Sequence, residues 1–443
     1  MRRTDREILR LAVPAFFALV AEPLYLLTDS AIVGHLGTAE LAGLGIAGVI
    51  LQTVVGLCVF LAYGTTASVA RHLGAGEHRR ALAQGVDGLW LAVLIGVAAT
   101  VLGITLTDPL VGAFGVSSEV AGHARTYLGI AFLGTTPLLL MLAATGVLRG
   151  LQDTRTPLVA AVAGNGLNVV LNLLLVFGAG PLPGLGIAGA ALGSVVAQTL
   201  AAALLVAVVV RAARREGAPL SPDRAGITAA ARASVGLVVR TLTLRAALLV
   251  LAWSVATVAT GDSGAEVATH QVALTLWNFL AFVLDAVAIA AQALTGKALG
   301  AGDRRQVRRL TARMTAWGLW SGVLTGVLVA AASPWLGVLF TPDQEVRDLL
   351  VPVLLVMALG QPLAGVVFVL DGVLIGAGDG SYLARAGVLT LVAFAPAALL
   401  AASWGVGLVT IWVLFVVLFM GARGVVLVRR ARGDAWMVTG AAA

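Results

Sequence analysis

Apolar residues run along this chain in twelve long stretches, each separated from the next by a short patch of arginine, acid, glycine or proline. The stretches fall near 8–33, 41–70, 88–107, 124–148, 157–179 and 186–210, then near 235–260, 269–295, 315–340, 349–376, 384–402 and 405–428. A helix of about 20 apolar residues crosses the ~30 Å hydrocarbon core of a bilayer. The pattern therefore predicts an all-α polytopic membrane protein with twelve transmembrane helices. The first stretch follows Arg2, Arg3, Arg6 and Arg10, as a signal peptide would. It has no small-residue cleavage site and runs too long, so it reads as a mature span.

The polar breaks repeat. Leu73-Gly-Ala-Gly-Glu-His-Arg-Arg matches Leu299-Gly-Ala-Gly-Asp-Arg-Arg-Gln, 226 positions later. The same offset pairs Ala39-Glu40 with Ala265-Glu266, Gly146-Val-Leu-Arg-Gly150 with Gly372-Val-Leu-Ile-Gly376, and Asp153 with Asp379. One offset holds six spans, an even number, so both halves have the same orientation. Two six-helix lobes related by a pseudo-two-fold axis along the membrane normal are expected, as in parallel transporter repeats. The N-terminal lobe is placed at 1–210, a cytoplasmic linker at 211–232 and the C-terminal lobe at 233–443. The basic linker could also lie as an amphipathic helix on an anionic leaflet.

Composition narrows the class. Of 443 residues 59% are hydrophobic and 12% charged, where a soluble protein carries about 25% charged. Three soluble domains are excluded. The net charge of +7 could suggest nucleic acid in a soluble protein. Here all but Arg125 and Arg347 of the 29 Lys and Arg residues fall on one side of the twelve-span plan. The positive-inside rule makes that side cytoplasmic, with both termini on it and the protein in the plasma membrane. No nucleic-acid partner is expected. Cys58 is the only cysteine, and no Cys/His cluster suggests a metal. No Walker-type glycine loop appears, so no ATP and no cofactor are expected. His35, His72, His78, His123 and His270 sit at span ends or loops. An enzyme is therefore not expected.

Acids inside spans are the candidate chemistry, since each costs about 2.5–3.5 kcal/mol on insertion scales. They are Glu22 and Asp29 in span 1, Asp285 in span 8 and Asp371 in span 10. No Lys or Arg lies deep in any span by this reading, so the acids have no cationic partner and would attract cations and protons. Asp371 could instead hydrogen-bond the glycine-rich backbone of its own span. Glu22 and Asp29 are seven apart and share a helix face, with Tyr25 one turn before Asp29 and Pro23 between the acids. Asn165, Asn168 and Asn172 share a face of span 5. That stripe could join helices in lipid or complete a polar network around Asp29, and Ser194 and Gln198 of span 6 could take part in either. Trp90, Trp253, Trp277, Trp335, Trp404 and Trp412 read as interface anchors.

These residues carry a resemblance. Gly146-Val-Leu-Arg-Gly-Leu-Gln-Asp-Thr154, with Pro157, resembles the hallmark after span 4 of multidrug and toxic compound extrusion (MATE) transporters. Leu26-Leu-Thr-Asp-Ser30 followed by Gly34-His-Leu-Gly37 resembles the first helix of the DinF-like branch, as do Leu284-Asp285 and Leu370 to Asp379. The resemblance implies a secondary antiporter of two six-helix lobes, working as a monomer. It would export cationic or amphipathic compounds against inflow of protons or sodium ions. It implies protonation at Asp29, with Tyr25, Asn168, Asn172 and Ser194 as its polar surroundings. Some relatives carry aspartate at the position of Asn172, which leaves Asp29 as the single titrating group, assisted by Glu22. Sodium coupling stays open, because the same oxygens serve both ions. A flippase for lipid-linked precursors is the other alternative, but its anionic substrates would want cationic residues in the cleft.

Overall fold

The computed structural model describes residues 3–179, 182–259 and 264–441. Arg2 lies outside them. Twelve helices are long and apolar enough to cross a membrane. They are α1 Thr4–Gly34, α2 Thr38–Gly74, α3 His78–Thr105, α4 Ser118–Gly150, α5 Arg155–Phe177 and α6 Ile187–Arg215, followed by α7 Arg224–Val258, α8 Ala265–Gly300, α9 Arg304–Phe340, α10 Gln344–Gly376, α11 Gly380–Ser403 and α12 Leu408–Arg432. The only sheet among the described residues is a two-residue antiparallel pairing after α5, Gly178 with Pro183 and Ala179 with Leu182.

By packing, the chain divides into two compact units. One is Val13–Ser234. The other is Val235–Ala443 together with Met1–Ala12. Both divisions fall inside helices, α1 and α7, rather than in loops. The stretch 211–232, expected as a linker, is mostly helical. Arginine is a good helix former, so α6 runs on to Arg215 and α7 starts at Arg224. Gly217, with φ 66°, and Pro219 break the helix between them. The remaining 216–223 is tied to the first unit. Trp90 Nε1 donates to the Leu220 carbonyl at 3.0 Å, and the Asp223 N–H donates to Asp87 Oδ1 at 3.2 Å. Ala218 packs with Leu82, Val86 and Ala213.

The repeat is written in the backbone of each unit. After α2, Gly76 N–H donates to Leu73 O and Glu77 N–H to His72 O. After α8, Gly302 N–H donates to Leu299 O and Asp303 N–H to Ala298 O. After α4, Gln152 N–H donates to Arg149 O and Asp153 N–H to Leu148 O, and after α10 Gly378 and Asp379 do the same to Ile375 and Leu374. These are Schellman helix ends, which need a left-handed residue. Gly76, Gly302 and Gly378 supply it with φ between 75° and 79°, and Gln152 supplies it at φ 68°. Gln152 is the only non-glycine residue with positive φ among those described.

The Gly-x-x-x-Gly strings at 146–150 and 372–376 have a packing role. A Cβ on Gly146 would collide with Thr65 and the Ala62 carbonyl on α2, and one on Gly150 would lie 2.9 Å from the Thr66 carbonyl. A Cβ on Gly372 would collide with the Ala288 carbonyl on α8, and one on Gly376 with that of Gln292. Small residues let membrane helices approach this closely. Asp153 then starts α5, its Oδ1 accepting from the Arg155 and Thr156 N–H groups at 2.9 and 3.0 Å. Its counterpart Asp379 accepts from Arg430 Nε at 2.7 Å. The most family-like string is thus accounted for by helix packing and helix ends.

Gly372→Val should force α10 off α8 and lower stability by about 1–3 kcal/mol. Thermal unfolding in detergent checks this; a melting temperature equal to wild type would refute the close approach.

Candidate functional site

Three helices of the first unit converge on Asp29. The carboxylate is 2% exposed. Tyr127 of α4 donates its O–H to Asp29 Oδ2 at 3.1 Å, and Asn172 Nδ2 of α5 donates to Oδ1 at 2.6 Å. Asn172 Nδ2 also reaches Asn168 Oδ1 at 3.3 Å, and Asn168 Nδ2 donates to Ser194 Oγ of α6 at 3.1 Å. Tyr25 lies beside Ser194 and Tyr127. Asp29 forms no ion pair among the described residues. A carboxylate removed from water and held only by neutral donors is a costly arrangement, and its charge can be balanced by a proton or a bound cation.

The residues expected to share this site do so unequally. Asn168 and Asn172 are buried at 1% and 0% exposure, and Ser194 is buried with them. Asn165, one turn earlier on α5, is half-buried and ties α5 to α1, its Nδ2 donating to the Ala21 carbonyl at 2.6 Å. Glu22 is exposed and makes no hydrogen bond or ion pair among the described residues. Gln198 lies against Gly134 instead. Asn172 Oδ1 is a buried acceptor without a partner. It fits there because α6 carries Gly193, where a Cβ would collide with that oxygen.

Sequence reasoning missed Tyr127. A signal existed: the chain has only four tyrosines, and a phenol inside an apolar span must find a hydrogen-bond partner. What could not be read from one helix is that α4 aims this O–H at α1.

The second unit corrects several expectations. Asp371 is not bonded to its own span's backbone. Arg423 Nη2 donates to both its oxygens at 2.8 and 2.7 Å, and Arg240 donates to Oδ2 from Nε at 3.2 Å and Nη2 at 2.6 Å. Charge patterning alone puts Arg240 and Arg423 at the cytoplasmic ends of their spans. They lie inside α7 and α12, and Arg423 is 1% exposed. Asp371 therefore has two cationic partners, contrary to the expectation that the acids inside spans have none. Asp285 is half-buried on α8, in this second unit. Two expected anchors are core residues: Trp277 and Trp412 are 7% and 0% exposed, each with its ring against Phe415. His270, in the second turn of α8, is buried against Trp412.

The offset of 226 shows how far the halves have diverged. It carries Tyr25, Asp29, Tyr127, Asn168, Asn172 and Ser194 onto Leu251, Val255, Val353, Phe394, Ala398 and Met420, all apolar and buried. It carries Arg240, Asp371 and Arg423 back onto Pro14, Thr145 and Ala197. Each unit has its own polar cluster at a place where the other has no charged residue.

Comparison with known proteins gives one family. A family model described as MatE matches residues 14–174 and again 241–400, once in each half. The chain is 32% identical over 434 residues to Protein DETOXIFICATION 44, chloroplastic, of Arabidopsis thaliana, covering 94% of this chain and 80% of that one. It is 29% identical over 444 residues to DNA damage-inducible protein F of Escherichia coli (strain K12), covering 98% and 94%. Among solved structures, one described as a crystal structure of MATE in the bent conformation superposes with a TM-score of 0.88. It covers 98% of this chain and 96% of that one at 22% identity.

Tyr127→Phe keeps the shape of the ring and removes the donor to Asp29. While Asp29 is ionised the change should lower unfolding free energy by about 1.5–3 kcal/mol, the range for a hydrogen bond to a charged group. In an Asp29→Asn background it should cost far less. Equal losses in both backgrounds, measured by chemical denaturation, would show that the bond contributes nothing to holding the carboxylate.

Proposed function

The chain belongs to the MatE family of multidrug and toxic compound efflux transporters, and on that premise we propose that it is a proton-driven antiporter for cationic or amphipathic compounds, with Asp29 as the proton carrier. The observation that carries this reading is the carboxylate buried among neutral donors. An ionised carboxylate only accepts hydrogen bonds; a protonated one must also donate. Tyr127 and Asn172 both aim donors at Asp29, so protonation weakens these charge-assisted bonds and adds an O–H that needs an acceptor of its own. This loosens α1 from α4 and from α5. Pro14 and Pro23 lie inside α1, and each removes one backbone bond and eases bending. Proton uptake would thereby be converted into a change in the packing of α1, which is how alternating access would be coupled to the proton. The arginine bias along the chain supports a plasma-membrane setting with both termini cytoplasmic.

Sodium coupling is the second reading, and one feature favours it. Asn172 Oδ1 is an unused buried oxygen in the residue that bonds Asp29, and a small cation could take it as a ligand together with the carboxylate.

The energetics separate substrates by charge. At ~150 mV, one proton moving inward for a neutral compound moving outward yields roughly 3.5 kcal/mol, enough for a gradient of about a few hundredfold. Exchange of one proton for a singly charged cation moves no net charge, so only the pH difference drives it. In proteoliposomes loaded with a fluorescent monovalent cation, an imposed pH gradient should drive efflux, and a clamped membrane potential alone should not. Asp29→Asn should fold and lose gradient-driven efflux. Full transport by that variant would remove Asp29 from the mechanism, and efflux driven only by a sodium gradient would replace the coupling ion.

A further inference from the structure

Thirteen residues lead from Arg245 to Val258, where α7 ends, and none of them is charged. They rise about 20 Å along the helix, which is too short for the ~30 Å hydrocarbon core of a bilayer. On the cytoplasmic orientation proposed above, α7 starts on the inner side. With its end at the outer boundary, Arg245 lies about 10 Å inside the inner boundary. An ionisable residue at such a depth needs a partner.

The protein does not supply one. Arg245 is exposed and makes no hydrogen bond or ion pair among the described residues. Arg240, five residues earlier, turns to protein and holds Asp371. The buried side of α7 carries Thr243, Ala247, Leu251 and Val255, and Arg245 lies on the other side. Its neighbours there are Leu242 and Leu249, with Trp253 one turn further, and all three are exposed. Large apolar side chains gain nothing from facing water, so this side of α7 is turned to lipid. The helical frame does not call for a charge at this place. The repeat offset of 226 carries Arg245 back onto Leu19 of α1. A guanidinium on a lipid-facing surface can extend its apolar stem toward the interface, where phosphate groups lie. Its planar fork matches two phosphate oxygens at once.

We propose that Arg245 holds the phosphate of an anionic phospholipid of the inner leaflet, whose acyl chains run past Leu249 and Trp253. An anionic headgroup is favoured because a choline headgroup brings its own cation to the phosphate. The site is independent of which ion drives transport. Its test is titration of the full chain with phosphatidylglycerol or phosphatidylcholine, with bound lipid counted by native mass spectrometry. Wild type should bind its first phosphatidylglycerol about fivefold tighter than phosphatidylcholine, the factor for one basic residue at an anionic surface. Arg245→Gln should erase that preference, and Arg245→Lys should keep part of it. Arg232→Gln, at an exposed arginine nearer the start of α7, should leave it intact. Thermal unfolding in phosphatidylcholine nanodiscs confirms that each variant is folded. A preference that survives Arg245→Gln would overturn the proposal, as would wild type that does not distinguish the two lipids. Equal losses in Arg245→Gln and Arg232→Gln would overturn it too, because they mark diffuse charge rather than a site. Inorganic phosphate added to the nanodiscs should not stabilise wild type. Stabilisation of wild type but not of Arg245→Gln would put a free anion in place of the lipid and overturn the docking of lipid.

Discussion

A peptide group inside hydrocarbon has no water to bond, and every element of this protein answers to that constraint. Helices satisfy it within a single segment, which is why twelve of them account for nearly all of the described chain. The constraint also explains the side-chain chemistry at helix contacts. Lipid is as apolar as leucine, so helices gain little from burying apolar faces on one another and associate through close approach. Gly146, Gly150, Gly372 and Gly376 let α4 meet α2, and α10 meet α8, at backbone distance. The strings that mark the family are built around this contact and the helix ends that follow it.

The two units treat a buried aspartate in opposite ways. Asp371 is gripped by two arginines, Arg240 and Arg423. Removing one partner of such a buried group leaves uncompensated charge and is strongly destabilising, so this cluster acts as architecture. Asp29 has only a phenol and an amide. The helix that bears it also belongs to both units, Thr4 to Ala12 in one and Val13 onward in the other. The repeat therefore supplied two copies of a frame, and the copies were filled with different chemistry.

Much of the candidate site is legible in the sequence. Asp29 stands out as an acid in an apolar run, and the spacing of Asn165, Asn168 and Asn172 puts three amides on one helix face. Their grading from half-buried Asn165 to sealed Asn172 is not legible, because it depends on how far α5 leans against α1 and α6. Gly193 gives no sign that it makes room for an amide oxygen. That Arg240 and Arg423 hold Asp371 is not legible, because charge along a sequence says where arginine is common. It does not say which arginine has a carboxylate waiting on another helix.

The sequence by itself determined the number of spans, the repeat of the two halves and the face on which each polar residue lies. All of these follow from periodicity along one chain, where neighbours are set by 3.6 residues per turn. Tertiary structure alone decided which faces meet. Tyr127 reaching Asp29 over 98 positions, Arg423 reaching Asp371 over 52, and Trp412 lying in a core of aromatic rings are outcomes of helix packing. A partner on another helix leaves no period in the sequence, since its distance along the chain is set by the lengths of the helices and loops between.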